Sequence, residues 1–226
     1  MLDDATPRTQ SFRFIDLQVV GGYSWPKNST LELDARALFG ALHANDTLQY
    51  FQADFNKLGC TDVRIFAQVL TTHPSLREFK FSCRKYSPGG LVALVNGIQE
   101  SSLQKLTLSV CDDDDDFGDN QRILLEAIYK CSTLTHVRLE QMDLEHSDLC
   151  DFLGRTSLVQ FVVPYRTKST YWSREEWKTL CKVLHTNYSL VCPCFEYQLP
   201  CRYGKNLLPI VQRNRLKRLV TESECN

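Results

Sequence analysis

A short phrase recurs along this chain: SFRFIDL at Ser11, TLQYFQA at Thr47, SLREFKF at Ser75, SLQKLTL at Ser102, TLTHVRL at Thr133, SLVQFVV at Ser157 and SLVCPCF at Ser189. Each copy has Ser or Thr, an apolar residue, two variable positions and, in most copies, an apolar, variable, apolar ending. A repeated unit constrains the fold before any local motif does, because one unit cannot bury its own apolar face and must share a core with its neighbours.

The leading apolar residues Phe12, Leu48, Leu76, Leu103, Leu134, Leu158 and Leu190 are separated by 36, 28, 27, 31, 24 and 32 residues. Between phrases runs an apolar pair four residues apart: Leu38 and Leu42, Phe66 and Leu70, Leu94 and Ile98, Leu124 and Ile128, Leu149 and Leu153, Leu180 and Leu184. Residues four apart share a helix face. The unit is therefore strand, loop, helix and turn. The pair Leu207 and Val211, followed by Leu216 and Leu219, predicts the start of an eighth copy.

A strand–loop–helix unit of this length resembles the leucine-rich repeat, specifically the ribonuclease-inhibitor-like class found in intracellular receptors and bacterial effectors. The resemblance covers residues 11–220 and implies an α/β horseshoe solenoid: a concave parallel sheet, convex helices, and about seven repeats plus a partial eighth. It also implies a buried polar residue at the ninth position of each phrase. Asn56 and Cys111 keep that position, whereas Val20, Arg84, Met142, Arg166 and Gln198 depart from it. The expected organisation is a tail over 1–10, one repeat domain over 11–220 and a tail over 221–226.

In 226 residues such an array leaves no space for an added catalytic domain of about 50 residues or more. The net charge of −1 gives no global pull toward nucleic acid or anionic lipid. A local basic run, Arg213, Arg215, Lys217 and Arg218, reads as a polar cap face without interleaved aromatics for base stacking. The start MLDDATPRTQ has no signal-peptide pattern, and no apolar stretch approaches the roughly 18 residues of a membrane span. Ten cysteines without a secretory signal are expected to be reduced, which places the chain in the cytoplasm, or in a host cytoplasm for a delivered effector. Sequons occur at Asn28, Asn45 and Asn187; the last two fall at helix-to-strand turns, where Asn suits left-handed backbone.

Candidate chemistry is sparse. The run Asp112 to Asp116 fails the calcium-loop pattern, since Phe117 and Leu124 stand where ligands belong, so it reads as a solvated acidic loop. Cys181, Cys192, Cys194 and Cys201 lack zinc-site spacing. His136 has Lys105 and Gln160 as strand neighbours, which makes no triad. His43, His73 and His185 recur near helix ends, where the dipole favours imidazolium. No metal, cofactor or catalytic residue is assigned. Ser173 and Glu176 form a capping-box pattern that starts a helix carrying Trp177, after a loop bearing Tyr171 and Trp172.

Alternation along the phrases sends the apolar positions inward and the others to the outer face of the sheet. The first outward column is Phe14, Tyr50, Glu78, Lys105, His136, Gln160 and Cys192. The second is Asp16, Gln52, Lys80, Thr107, Arg138, Val162 and Cys194, and the third is Gln18, Asp54, Ser82, Ser109, Glu140, Pro164 and Glu196. Aromatic and Arg residues dominate binding hot spots. Tyr50, Lys80, Lys105, His136 and Arg138, with Tyr171 and Trp172, are the expected partner contacts. The function expected is non-catalytic protein–protein recognition by a monomer, as an intracellular adaptor or bacterial effector. The alternatives are an enzyme regulator resembling ribonuclease inhibitor or a GTPase activator, and a metal-binding protein.

Overall fold

The computed structural model describes residues 14–17, 35–55, 60–83, 88–110, 117–140, 144–163, 173–195 and 209–217. Strands and helices alternate: β1 (Phe14–Leu17), α1 (Ala35–Ala44), β2 (Tyr50–Phe55), α2 (Cys60–Thr72), β3 (Glu78–Cys83), α3 (Pro88–Gln99), β4 (Lys105–Val110), α4 (Phe117–Lys130), β5 (His136–Glu140), α5 (His146–Arg155), β6 (Gln160–Val163), α6 (Arg174–Thr186) and β7 (Cys192–Phe195). A further helix, α7, covers 209–217. The strands form one seven-stranded sheet in the order β1 to β7, every pair parallel. Parallel neighbours require a crossover, and α1 to α6 each supply one. Successive helices from α1 to α6 pack on one another and form the second layer.

The recurring phrase explains the core. Its leading leucines, Leu48, Leu76, Leu103, Leu134, Leu158 and Leu190, are all buried, as are Phe51, Phe79, Leu106, Val137 and Phe161 three positions later. From the helices come Leu42, Phe66, Leu70, Leu94, Ile98, Leu124, Ile128, Leu149, Leu153, Leu180 and Leu184, also buried. The densest part is aromatic: Phe66 of α2 lies 5.0 Å from Phe79 and 5.2 Å from Phe81, ring centre to ring centre, and 5.8 Å from Phe51. Nearby, α3 presses so closely on α2 that a Cβ on Gly97 would stand 2.8 Å from the Ala67 carbonyl oxygen.

A second, polar system runs along the helix-to-strand turns. Two or three residues before each leading leucine stands Asn45, His73, Ser101, Cys131, Thr156 or Asn187, all buried except the half-buried Asn45. Asn45 Oδ1 accepts from Thr47 N at 3.0 Å, Ser101 Oγ from Leu103 N at 3.4 Å, and Thr156 Oγ1 from Leu158 N at 3.4 Å. Asn187 Oδ1 accepts from Ser189 N and Leu190 N. Several of these side chains also reach back one unit. Asn187 Nδ2 donates to Leu153 O and Thr156 O at 2.6 and 3.1 Å, and the Cys131 thiol lies 3.7 Å from Ser101 O. Backbone groups at a buried turn need such partners.

Three expectations are corrected. Asn187 is not left-handed: its φ and ψ are −83° and 114°, and it serves by hydrogen bonding. The eighth copy does not begin at Leu216, which is helical in α7 and 64% exposed; the inward pair of α7 is Ile210 and Asn214, because Asn214 takes the turn-ladder place, donating to Asn187 O and Leu190 O. His73 is 4% exposed, and burial, as the largest cause, holds its pKa below the ordinary value, so the helix dipole does not set its charge.

Candidate functional site: the outward face of the sheet

The predicted columns hold strand by strand where the structure describes them. Phe14, Tyr50, Glu78, Lys105, His136, Gln160 and Cys192 pair in one register, and Asp16, Gln52, Lys80, Thr107, Arg138, Val162 and Cys194 in the next. In β5 the alternation is complete: His136, Arg138 and Glu140 are half-buried while Val137 and Leu139 are buried. Two residues placed outward, Ser109 and Val162, are buried at 7% and 4% exposure, so the face is not polar throughout.

The five expected sheet contacts, Tyr50, Lys80, Lys105, His136 and Arg138, lie on four successive strands in these two adjacent columns. Several are held in place by neighbours. The Tyr50 hydroxyl donates to Gln52 Oε1 two residues along the same strand. Lys105 Nζ meets Glu78 Oε2 at 3.2 Å, directly across the β3–β4 pair. Arg138 Nε donates to Glu140 Oε1 at 2.5 Å, and His136 Nδ1 lies 2.8 Å from Thr135 Oγ1. Such links limit the side-chain entropy lost on docking. Tyr171, Trp172, Asp112 to Asp116 and Cys201 lie outside the described residues. Cys192 and Cys194 are on β7.

Where the sequence predicts a capping box, the structure has one: Glu176 N donates to Ser173 Oγ at 3.2 Å and Ser173 N to Glu176 Oε2 at 2.6 Å. Trp177 is buried behind it. The basic run also has a structural use. Arg213 donates to His185 O at 2.8 Å and, with Lys217, stacks on the Tyr188 ring at 4.4 and 3.7 Å from the centroid.

The chemistry available elsewhere is limited. Cys150 Sγ lies 3.4 Å from His146 Nε2, a pairing that the i, i+4 spacing alone does not reveal. That nitrogen is also 2.9 Å from Glu176 O, which requires it to carry the proton, so it does not act as a base toward the thiol. Burial pushes the Cys150 thiol up to about 11, the opposite of an activated nucleophile. Cys181 on α6 is likewise raised by burial; it borders an apolar groove of about 720 Å³ between α6 and α7. Among the described residues no group of three or more His, Cys, Asp or Glu is placed to hold a metal ion. No helix among them is long and apolar enough to cross a membrane.

No protein-family model matches the chain, and no curated protein matches it. Solved structures do resemble it. Leiomodin-1 actin-binding site 2 (ABS2) shows a TM-score of 0.49 at 10% identity, over 83% of this chain and 95% of that one. The tropomodulin C-terminal domain from Caenorhabditis elegans shows 0.46 at 16% identity, over 82% and 98%. The ribonuclease-inhibitor-like assignment is thereby corrected. The similar structures are leiomodin and tropomodulin domains. Among the described residues a polar ladder precedes the strands; the ninth-position residues, Asn56 and Cys111 among them, lie outside the described residues. The chain itself has an α/β architecture, a parallel sheet covered by helices.

Proposed function

We propose that this chain is a non-catalytic protein–protein interaction module, a leucine-rich-repeat-type solenoid of horseshoe form that docks its partner on the outward face of the sheet. The observation carrying this reading is the continuous register of Tyr50, Glu78, Lys105, His136 and Gln160 beside Gln52, Lys80, Thr107 and Arg138. Neighbouring strands about 4.8 Å apart give these columns the span of an extended recognition surface. Mixed charge on the face favours a folded protein partner over a polyanion. The buried, high-pKa Cys150 supports a module without its own catalysis. Free Cys131, Cys150 and Cys181 suit a reducing compartment such as the cytoplasm.

A photo-cross-linking amino acid at Thr107 on the face, and a second at Val92 on α3, tests this. The Thr107 probe is expected to capture a protein that the Val92 probe does not, and Tyr50→Ala with Arg138→Glu is expected to abolish the capture while circular dichroism stays unchanged. Equal capture from both positions, or capture indifferent to the substitutions, overturns it.

A further inference from the structure

Of the ladder residues at the described turns, His73 is the one whose side-chain type ordinarily titrates near neutral pH. Its counterparts are Asn45, Ser101, Cys131, Thr156, Asn187 and Asn214. His73 Nδ1 accepts from Ser75 N at 3.3 Å and from Leu76 N at 3.1 Å, so this nitrogen must be unprotonated and the ring proton sits on Nε2. Nε2 is buried without a hydrogen-bond partner among the described residues. At the equivalent point Asn187 donates to Thr156 O and Asn214 to Asn187 O; here the Asn45 carbonyl faces the ring without a bond of that quality.

We propose that His73 is an acid-released latch: a proton added to Nδ1 removes the acceptor holding Ser75 and Leu76, and frees the head of β3 from the end of α2. The added N–H would point at two amide N–H groups inside the core, and no rotation of a buried ring restores both bonds. The consequence reaches the sheet, because Arg77 N and Glu78 N, the next donors along the chain, both bond Gln49 O beside Tyr50. The latch needs no partner, and neither does its test, so its failure is separate from failure of the docking proposal.

The charged groups around the ring come from three places: His43 at the end of α1, Asp46 in the turn after it and Arg77 at the head of β3. His43 and Arg77 oppose a positive ring, Asp46 and the Asn45 carbonyl favour it, and burial opposes it most. The folded ring thus resists protonation more than an exposed one. When the turn opens, the ring takes up its proton near the ordinary value of 6.5, which favours the open state as pH falls below that point.

Amide hydrogen exchange on the full chain at pH 7.5 and 5.0, corrected for intrinsic rates, reads the latch directly. In the wild type, protection at Ser75 and Leu76 is expected to fall about tenfold at pH 5.0 while Leu106 and Leu108 keep theirs. His73→Asn, using the side chain that serves at Asn187, is expected to keep Ser75 and Leu76 protected at both pH values. His73→Leu, which cannot accept, is expected to leave them unprotected at both. Unchanged protection in the wild type, an equal fall in His73→Asn, or a simultaneous fall at Leu106 and Leu108 overturns the proposal.

Discussion

Asn214 Nδ2 donates to the backbone carbonyl of Asn187 at 2.9 Å, and Asn187 Nδ2 in turn donates to the carbonyl of Thr156 at 3.1 Å. Two carboxamides thus tie the turns after α5 and α6 to each other and to α7. Asn187 has no spare capacity, since its oxygen takes the amides of Ser189 and Leu190 and its nitrogen two carbonyls. Replacing it by Ala removes the partner of four backbone groups, three of them in buried bonds. Asn187→Ala is expected to cost on the order of 2–4 kcal/mol, seen as a lower urea midpoint. Asn187→Asp is expected to cost more, because a carboxylate would face the carbonyls of Leu153 and Thr156.

Gly97 has a different kind of constraint. Alanine would normally favour a helix by about 1 kcal/mol over glycine. Its Cβ would meet Ala67 O at 2.8 Å and Ala67 Cα at 2.9 Å, both backbone atoms that no side-chain rotation can move. Gly97→Ala is therefore expected to destabilise by about 1–3 kcal/mol, measured by chemical denaturation. A stabilised protein would show that α2 and α3 separate freely.

Cys150 predicts a dependence at high pH. Its folded pKa is raised to about 11 from 9.0, chiefly by burial with a smaller push from Glu176. A raised folded pKa means that the stability it supports is fully present below pH 9 and is lost as pH rises toward 11. Thermal melts between pH 8 and 11 are expected to fall less steeply in Cys150→Ser than in the wild type. At pH 8, thiol alkylation at Cys150 is expected to track unfolding.

The Glu78–Lys105 pair separates binding from folding. Both side chains are about half exposed, at 40% and 53%, and pairs in that setting contribute about 0–1 kcal/mol. Lys105→Ala is expected to shift the melting temperature by no more than about 2 °C. Its effect on partner affinity, measured by titration with the cross-linked protein, is expected to exceed tenfold if the pair lies within the docked face. A large melting shift with unchanged affinity would assign Lys105 to folding.

Particular residues show where sequence reasoning reaches. Leu48, Leu76 and Leu103 are legible as core because each heads a phrase of strand periodicity, and the Tyr50, Glu78, Lys105 and His136 column follows from counting positions. Val162 was counted into the same face by the same rule, yet the structure buries it between Arg138 and Cys194 in register. The His146–Cys150 contact was missed because a helical i, i+4 pair is visible in sequence only as spacing, without burial. The turn ladder carried a usable signal, a polar or small residue two or three places before every leading leucine, but its residue types differ from unit to unit.

By itself the sequence determined the order of strands and helices, the parallel register and which leucines turn inward. Each of these follows from periodicities within one unit and from spacing between consecutive units. Only the tertiary structure decided that His73 is neutral and buried, that Gly97 touches Ala67, that Asn187 bonds two carbonyls and that Leu216 is an exposed helical residue instead of the head of a strand. Those outcomes depend on atoms about one repeat apart along the chain that meet only when units stack. A local pattern states that a side chain faces inward; the neighbouring unit decides what it finds there.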